Sequence, residues 1–446
     1  MSPNQDARIT AAAATAMLLL AGTISSSGQP QAQRDFTKEL ANKLRGTYTV
    51  AALGGLLARG PAVQQISAEL QQVIQSANTA VGHVEFYQAD RSNAGLALPA
   101  KEFVQGLSAV GLDLVGVSDT EGGEEALRTV NESMGAFGLA LARPDWQPVY
   151  QNVPAGRIAM LGGPHPIRLS TAKYVTAEQF AQLKAIQASI VARRTEPDVS
   201  RPIGIPSEPQ NQVTIFADTY LLGPVAGEIK EEPSASDRQN NVMAVRSTKE
   251  FADFVVFSMP LPPAPKGGHY SDDHKPHEQT VSLAHELVEN GMDLYVGHGN
   301  HVLQGIEIYK GRPIFYNLGD LSAHRPFGPP DSLKAVIPTM RYQDGVLQEV
   351  RLYPVDLGAE PAERPASRVG IAMTPSPEAA RRLIADLQKY SEPFGTKIAF
   401  ENGTGVIRVP RDATQTVGQN IHDFGTAPRP GAAGGRGRGG RGRGGL

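Results

Sequence analysis

The stretch GMDLYVGHGNHVLQGIEIYKGRPIFYNLGD, residues 291–320, decides how this chain is read. Leu294-Tyr295-Val296 is a short apolar run, expected to be a buried strand. It leads into Gly297-His298-Gly299-Asn300-His301, which sets two imidazoles at the strand's carboxyl end. Open α/β sheets gather ligands and chemistry at that end. Neutral imidazole is a common ligand for zinc, iron and related ions, and Gly297 and Gly299 let the backbone turn tightly there. The segment therefore points to a metal-dependent site. The same loop also has a purely structural reading, in which its turn and hydrogen bonds simply hold the strand end.

Working outward, short apolar runs alternate with helical periodicity. Tyr48–Leu53 is expected to be a strand running into a loop at Gly54-Gly55. Residues 61–78 are expected to be a helix, with Val63, Ile66, Leu70, Val73 and Ile74 on one face. Ala80–Phe86 is a second strand-and-loop, Phe103–Val110 a helix, Leu112–Val117 a strand, Glu124–Phe137 a helix and Arg157–Leu161 a strand. Residues 165–212 are less regular apart from a helix over Ala177–Arg193. Asp253–Ser258 restores the strand pattern, and a helix over Gln279–Asn290 stops at Gly291. Ile306–Tyr309 with Ile314–Tyr316, and Val336–Tyr342 with Leu347–Pro354, are expected to form hairpins across Lys310-Gly311-Arg312 and Asp344-Gly345; Ala379–Tyr390 is a helix. This alternation argues for a layered α/β fold.

Composition sets the bounds. The 446 residues, 40% hydrophobic and 20% charged, fit a soluble globular class. A formal net charge of −3 predicts no specific DNA partner. With no cysteine, disulfides, thiolate metal sites and cysteine nucleophiles are excluded. Residues 9–24, ITAAAATAMLLLAGTI, are too short for a membrane span and suit a signal-peptide core, so residues 1–33 are expected to be an export leader towards the periplasm or cell surface. An uncleaved anchor or a disordered leader are the alternatives. From Phe424 onward there are five Arg and no acid, in a Gly-rich segment that cannot bury a core. That tail, 424–446, is expected to be disordered and to bind polyanions weakly.

Residues 291–320 closely resemble the CapA-like family, the poly-γ-glutamate capsule-synthesis proteins related to calcineurin-type metallophosphatases. The shared pattern G-x-D-L-x-x-G-H-G-x-H-V-L-x-G-I-E-I-Y-K-G-R-P-I-F-Y-x-L-G spans Gly291–Gly319. Weaker similarity runs through Tyr48–Gly60, Ala80–Glu85, Gly111–Phe137, Ala252–Ser258, 349–358 and 389–409, so that about residues 46–410 are covered. The resemblance implies a four-layer α/β/β/α sandwich with a two-metal site at the strand ends, holding divalent Mn, Fe or Zn. It also implies a partner that is an anionic polymer or an envelope-biosynthesis protein.

Only part of that ligand set is present. His298 and His301 stand in place as metal ligands. Gly54-Gly55 replaces the family's Gly-Asp, and His83-Val84-Glu85 its Asn-Leu-Glu. Val117-Ser118-Asp119-Thr120 replaces its Asn-Asn-His, and Met259-Pro260-Leu261 its histidine loop. A bridged ion pair about 3.5–4 Å apart needs several shared ligands, and glycine offers none. Glu85 as a further ligand and Asp119 as the catalytic carboxylate are the substitutes from matching loops. His83, Glu121 and the segment HYSDDHKPH, with His269, His274 and His277, could also contribute, although that segment equally reads as a solvated loop. His285 lies inside a helix and is expected to be half-buried packing; His165, His324 and His422 follow no pattern, although His324 follows the Asn317-Leu318-Gly319-Asp320 loop and could approach the cleft. Two readings stay open: a catalytically degenerate metallophosphatase fold that binds a polymer or protein, or an active metal-dependent phosphoesterase-like hydrolase using His298 and His301.

Overall fold

The structure is a computed structural model. It describes residues 35–57, 66–85, 101–117, 128, 131–143, 145–164, 167–193, 212–215, 218–223, 229–260, 274–322, 330–358 and 370–409. The leader, the Arg/Gly tail, Asp119, Glu121, His165, His269, His324 and His422 lie outside them. The chain begins with α1 (Phe36–Glu39), β1 (Thr47–Leu57), α2 (Ala68–Gln75), β2 (Thr79–Glu85), α3 (Lys101–Val110), β3 (Leu114–Val117) and β4 (Ala140–Ala142). Next come β5 (Val149–Val153), β6 (Gly156–Gly162), β7 (Ile167–Val175), α4 (Ala177–Arg193), β8 (Gln212–Ile215), β9 (Asp218–Leu222) and β10 (Ile229–Pro233). It continues through α5 (Ala235–Lys249), β11 (Phe254–Pro260), α6 (Glu278–Glu289), β12 (Leu294–His298), β13 (Ile306–Tyr309), β14 (Arg312–Phe315) and β15 (Asp320–Ser322). Last are β16 (Lys334–Gln343), β17 (Val346–Asp356), α7 (Pro377–Ser391), β18 (Ala399–Glu401) and β19 (Thr404–Arg408).

Among the described residues the strands form three sheets. The largest runs β18-β19-β17-β16-β1-β2-β3-β4, with β15 also pairing to β1; the second runs β13-β14-β12-β11-β6-β5; a small one runs β10-β7-β9-β8. Alternation along single strands shows how the layers arise. In β1, Val50 and Ala52 join one core cluster while Ala51 and Leu53 join another. In β11, Phe254 and Val256 join that same first cluster, and Val255 and Phe257 turn to a third. The first core therefore lies between the two large sheets. The second lies under Leu70 and Ile74 of α2 and Val104 and Leu107 of α3, and the third under Val245 of α5 and Leu283 and Leu287 of α6. Helix, sheet, sheet, helix is the expected four-layer order.

Each outer helix obeys the same logic. In α6, Thr280, Leu283, Ala284, Leu287 and Val288 are buried, the three-and-four spacing of one helical stripe. His277 caps its start by accepting from the Gln279 amide, and Gly291 leaves it at φ +104°. Both predicted hairpins form, β13 with β14 and β16 with β17. Two expectations change. β1 does not stop before Gly54-Gly55 but continues to Leu57, because β15 pairs with this end. A Cβ on Gly54 would stand 1.9 Å from the Gly319 carbonyl oxygen, so only glycine lets the two backbones meet. His83 and Glu85 likewise belong to β2 rather than to a loop. The irregular region after β6 contains the small sheet.

Candidate functional site at the strand ends

Register brings the site together. Gly55 of β1 lies between Asp320 of β15 and His83 of β2, and His83 is opposite Gly116 of β3. In the facing sheet, Met259 and Pro260 of β11 lie beside Gly297 and His298 of β12. The carboxyl ends of the central parallel strands of both sheets therefore meet in one cleft, the position expected for chemistry in α/β folds.

His83 and His298 do not converge on a shared point. Their rings stack, centroids 4.2 Å apart and planes 12° from parallel. Ring-nitrogen lone pairs lie in the ring planes, so an ion held in the plane of one imidazole is out of line with the lone pairs of the other. The stack is built into its surroundings. His83 Nδ1 hydrogen-bonds Ser258 Oγ at 3.0 Å, and a Cβ on Gly116 would come within 2.7 Å of that oxygen and 2.9 Å of that nitrogen. Both histidines are buried. Burial holds the His83 imidazole neutral, its pKa pushed down to about 3. Burial, together with the neighbouring His83, pushes His298 well below the ordinary imidazole range. Two neutral rings can stack without charge repulsion.

His301 takes the left-handed backbone conformation, φ +58°, and turns Nδ1 towards Asp320, 2.9 and 3.1 Å from the two carboxylate oxygens. The carboxylate accepts, so Nδ1 donates; in the neutral ring the Nε2 lone pair is then the ligating one, the tautomer a metal-binding histidine uses. Asp320 brings a carboxylate beside Gly55, where the family pattern has its aspartate, yet this carboxylate is engaged by His301. Sequence reasoning passed over Asp320 and Ser258. Asp320 ends the Asn-Leu-Gly-Asp run of the quoted stretch, a signal that was available; Ser258 sits in an apolar strand and carried none.

The described residues do not fit a two-metal centre. Among the described residues no group of three or more His, Asp or Glu side chains is arranged to hold an ion. One atom does keep the mark of a ligand site: His298 Nδ1 is buried and has no hydrogen-bond partner among the described residues, a situation that ordinarily costs about 1–3 kcal/mol. It is a single donor. Glu85 is the last residue of β2, opposite Leu57; its side chain and Asp119 are outside the described set. Gly297 lies within β12 and serves packing, since a Cβ there would meet the Tyr316 carbonyl oxygen at 2.2 Å, while Gly299 turns the loop at φ +93°.

Among the described residues, His274, His277 and His285 are engaged away from this cleft. His274 Nδ1 pairs with the Leu303 carbonyl oxygen at 2.7 Å, and its ring stacks on Tyr390. His277 caps α6. His285 is half-buried on α6 and packs against β13, with Nε2 2.9 Å from both oxygens of Glu307 and its ring stacked on Tyr309, in line with the expected half-buried packing.

Comparison with known proteins agrees with this geometry. The chain is 27% identical over 347 residues to the uncharacterized protein y4sH of Sinorhizobium fredii, covering 68% of this chain and 71% of that one. It is 32% identical over 113 residues to the capsule biosynthesis protein CapA of Bacillus anthracis, and 34% identical over 114 residues to the PGA biosynthesis protein CapA of Bacillus subtilis. These two matches cover 24% and 25% of this chain and 25% and 28% of those proteins. The family described as bacterial capsule synthesis protein PGA_cap matches residues 23–324. With a layered α/β fold, a degenerate metal site at its strand ends and a match over that span, the chain belongs to the bacterial capsule synthesis protein PGA_cap family.

Proposed function

We propose that this protein acts in the synthesis of a capsule or envelope polymer as a catalytically degenerate member of its family, binding an anionic polymer of the poly-γ-glutamate type or a protein partner. One observation carries the reading. Gly55, Gly116 and Met259 occupy strand-end positions at the cleft, and a neutral imidazole stack braced by Ser258 fills the space between the sheets. Generating a hydroxide nucleophile between two ions needs convergent carboxylates and imidazoles, and these positions hold neither. The relatives' names, capsule and PGA biosynthesis proteins, support the polymer class, and the five arginines of the tail supply charges suited to a polyanion. The leader-like residues 9–24 support export; no helix among the described residues is long and apolar enough to cross a membrane.

A second reading, a metal-dependent phosphoesterase-like hydrolase, is favoured by His298 Nδ1, which has no partner among the described residues, and by the His301–Asp320 pair. The test of the first reading is equilibrium binding of labelled poly-γ-glutamate to the full chain, against uncharged dextran as control. Saturable binding that falls with added salt and persists in chelator is expected. Equal affinity for both polymers would overturn it.

A further inference from the structure

A groove of about 670 Å³ opens between the first turns of α6 and the end of α7, within the range of small-molecule sites. It is lined by none of His83, Ser258, His298, His301 or Asp320. We infer that this groove binds a small amphipathic anion, an apolar or aromatic body carrying one acidic group.

The walls define the body of the ligand. Val281, Pro276, Pro393 and Phe394 give apolar surface, and Tyr390 adds an aromatic face. That face is held rigid, because the Tyr390 ring stacks on His274 at 4.1 Å between centroids, and His274 is itself fixed to the Leu303 carbonyl. Pre-set aromatic walls lose little entropy when a ligand seats.

Polar groups define its head. Lys275 and Lys389 line the groove against a single lining carboxylate, Glu278. Two further carboxylates, Asp386 and Asp331, act on Tyr390 from beside the groove; Asp331 is engaged by Lys334 at 2.7 Å and faces His274 at 3.5 Å. Lys389 is exposed, so its ammonium can reach a head group at the mouth. His285 adds direction. Its Nε2 meets Glu307, which also accepts from the Tyr316 hydroxyl at 2.6 Å. A carboxylate fixes Nε2 as a donor, and in the neutral ring Nδ1 is then the acceptor, suited to a hydroxyl or amide N–H on the ligand.

The test uses two fluorescent probes of similar size on the full chain: 8-anilinonaphthalene-1-sulfonate, an aromatic anion, and N-phenyl-1-naphthylamine, its uncharged counterpart. Wild type should bind the anion saturably and one-to-one. Lys389→Glu, at an exposed position, should weaken the anion about tenfold, a change of about 1.4 kcal/mol, and leave the neutral probe unchanged. Val281→Trp, which fills the groove, should weaken both. Unchanged thermal unfolding of Lys389→Glu confirms that its fold is intact. Absence of saturable binding to wild type, or wild-type affinity of Lys389→Glu for the anion, would overturn the inference.

Discussion

Lowering the pH from about 7 to about 5 should destabilise this fold through His83 and His298, and His83→Asn should remove a measurable share of that loss. Both imidazoles are buried and neutral in the folded protein, with His83 at about 3 against 6.5 when exposed. Its folded pKa is below the unfolded one, so its contribution is complete above pH 6.5 and is lost as pH falls towards 3. Each pH unit in that window is worth about 1.36 kcal/mol per proton. His83 alone therefore accounts for roughly 2 kcal/mol by pH 5 and roughly 5 kcal/mol over the whole interval. His298 shifts in the same direction and adds to the slope. Against a typical domain stability of about 5–15 kcal/mol, this is a large fraction. Asparagine keeps an amide for Ser258 but does not titrate. Urea unfolding followed by circular dichroism at a series of pH values would give the slope for each protein. The variant should lose about one proton's worth of slope, whatever its stability at neutral pH. Identical slopes would refute the reasoning, showing that the stack is not where the acid sensitivity resides.

Other perturbations have equally definite outcomes. Gly54→Ala should cost about 1–3 kcal/mol in urea unfolding, because its Cβ would drive Gly319 and β15 away from β1. Lys249→Met should cost about 3–5 kcal/mol in the same assay: Lys249 is buried with Nζ 2.6 Å from Asp293, and Arg312 Nε at 3.3 Å is a poorer partner for the carboxylate left behind. Asp320→Asn should loosen His301 and destabilise by about 1–3 kcal/mol, visible as altered chemical shifts for the His301 ring against an otherwise preserved spectrum.

The layered fold was legible because strand and helix periods differ and alternate. Ala177–Arg193 forms the expected helix, and the Lys310-Gly311-Arg312 and Asp344-Gly345 hairpins close at the expected turns. Gly54-Gly55 misled, since glycine usually marks a loop. Here it permits two strands to touch, a tertiary demand that no local pattern shows. His298 and His301 are legible from their place at the end of an apolar strand and from the family pattern, and the structure brings both to the cleft. What they do there depends on residues far away in sequence. Ser258 and Asp320 complete the hydrogen bonding, and His83 stacks where a converging donor would be needed. A single chain does not announce such pairings, because each partner is unremarkable in its own segment.

Metal content measured together with turnover tests the central claim most directly. The purified full chain would be incubated with Mn²⁺, desalted, analysed by inductively coupled plasma mass spectrometry and assayed on a chromogenic phosphodiester. The account predicts well under two metal equivalents per chain and no turnover above that of His298→Ala. Close to two bound equivalents, with turnover abolished by His298→Ala, would contradict it and establish the cleft as a working metal centre.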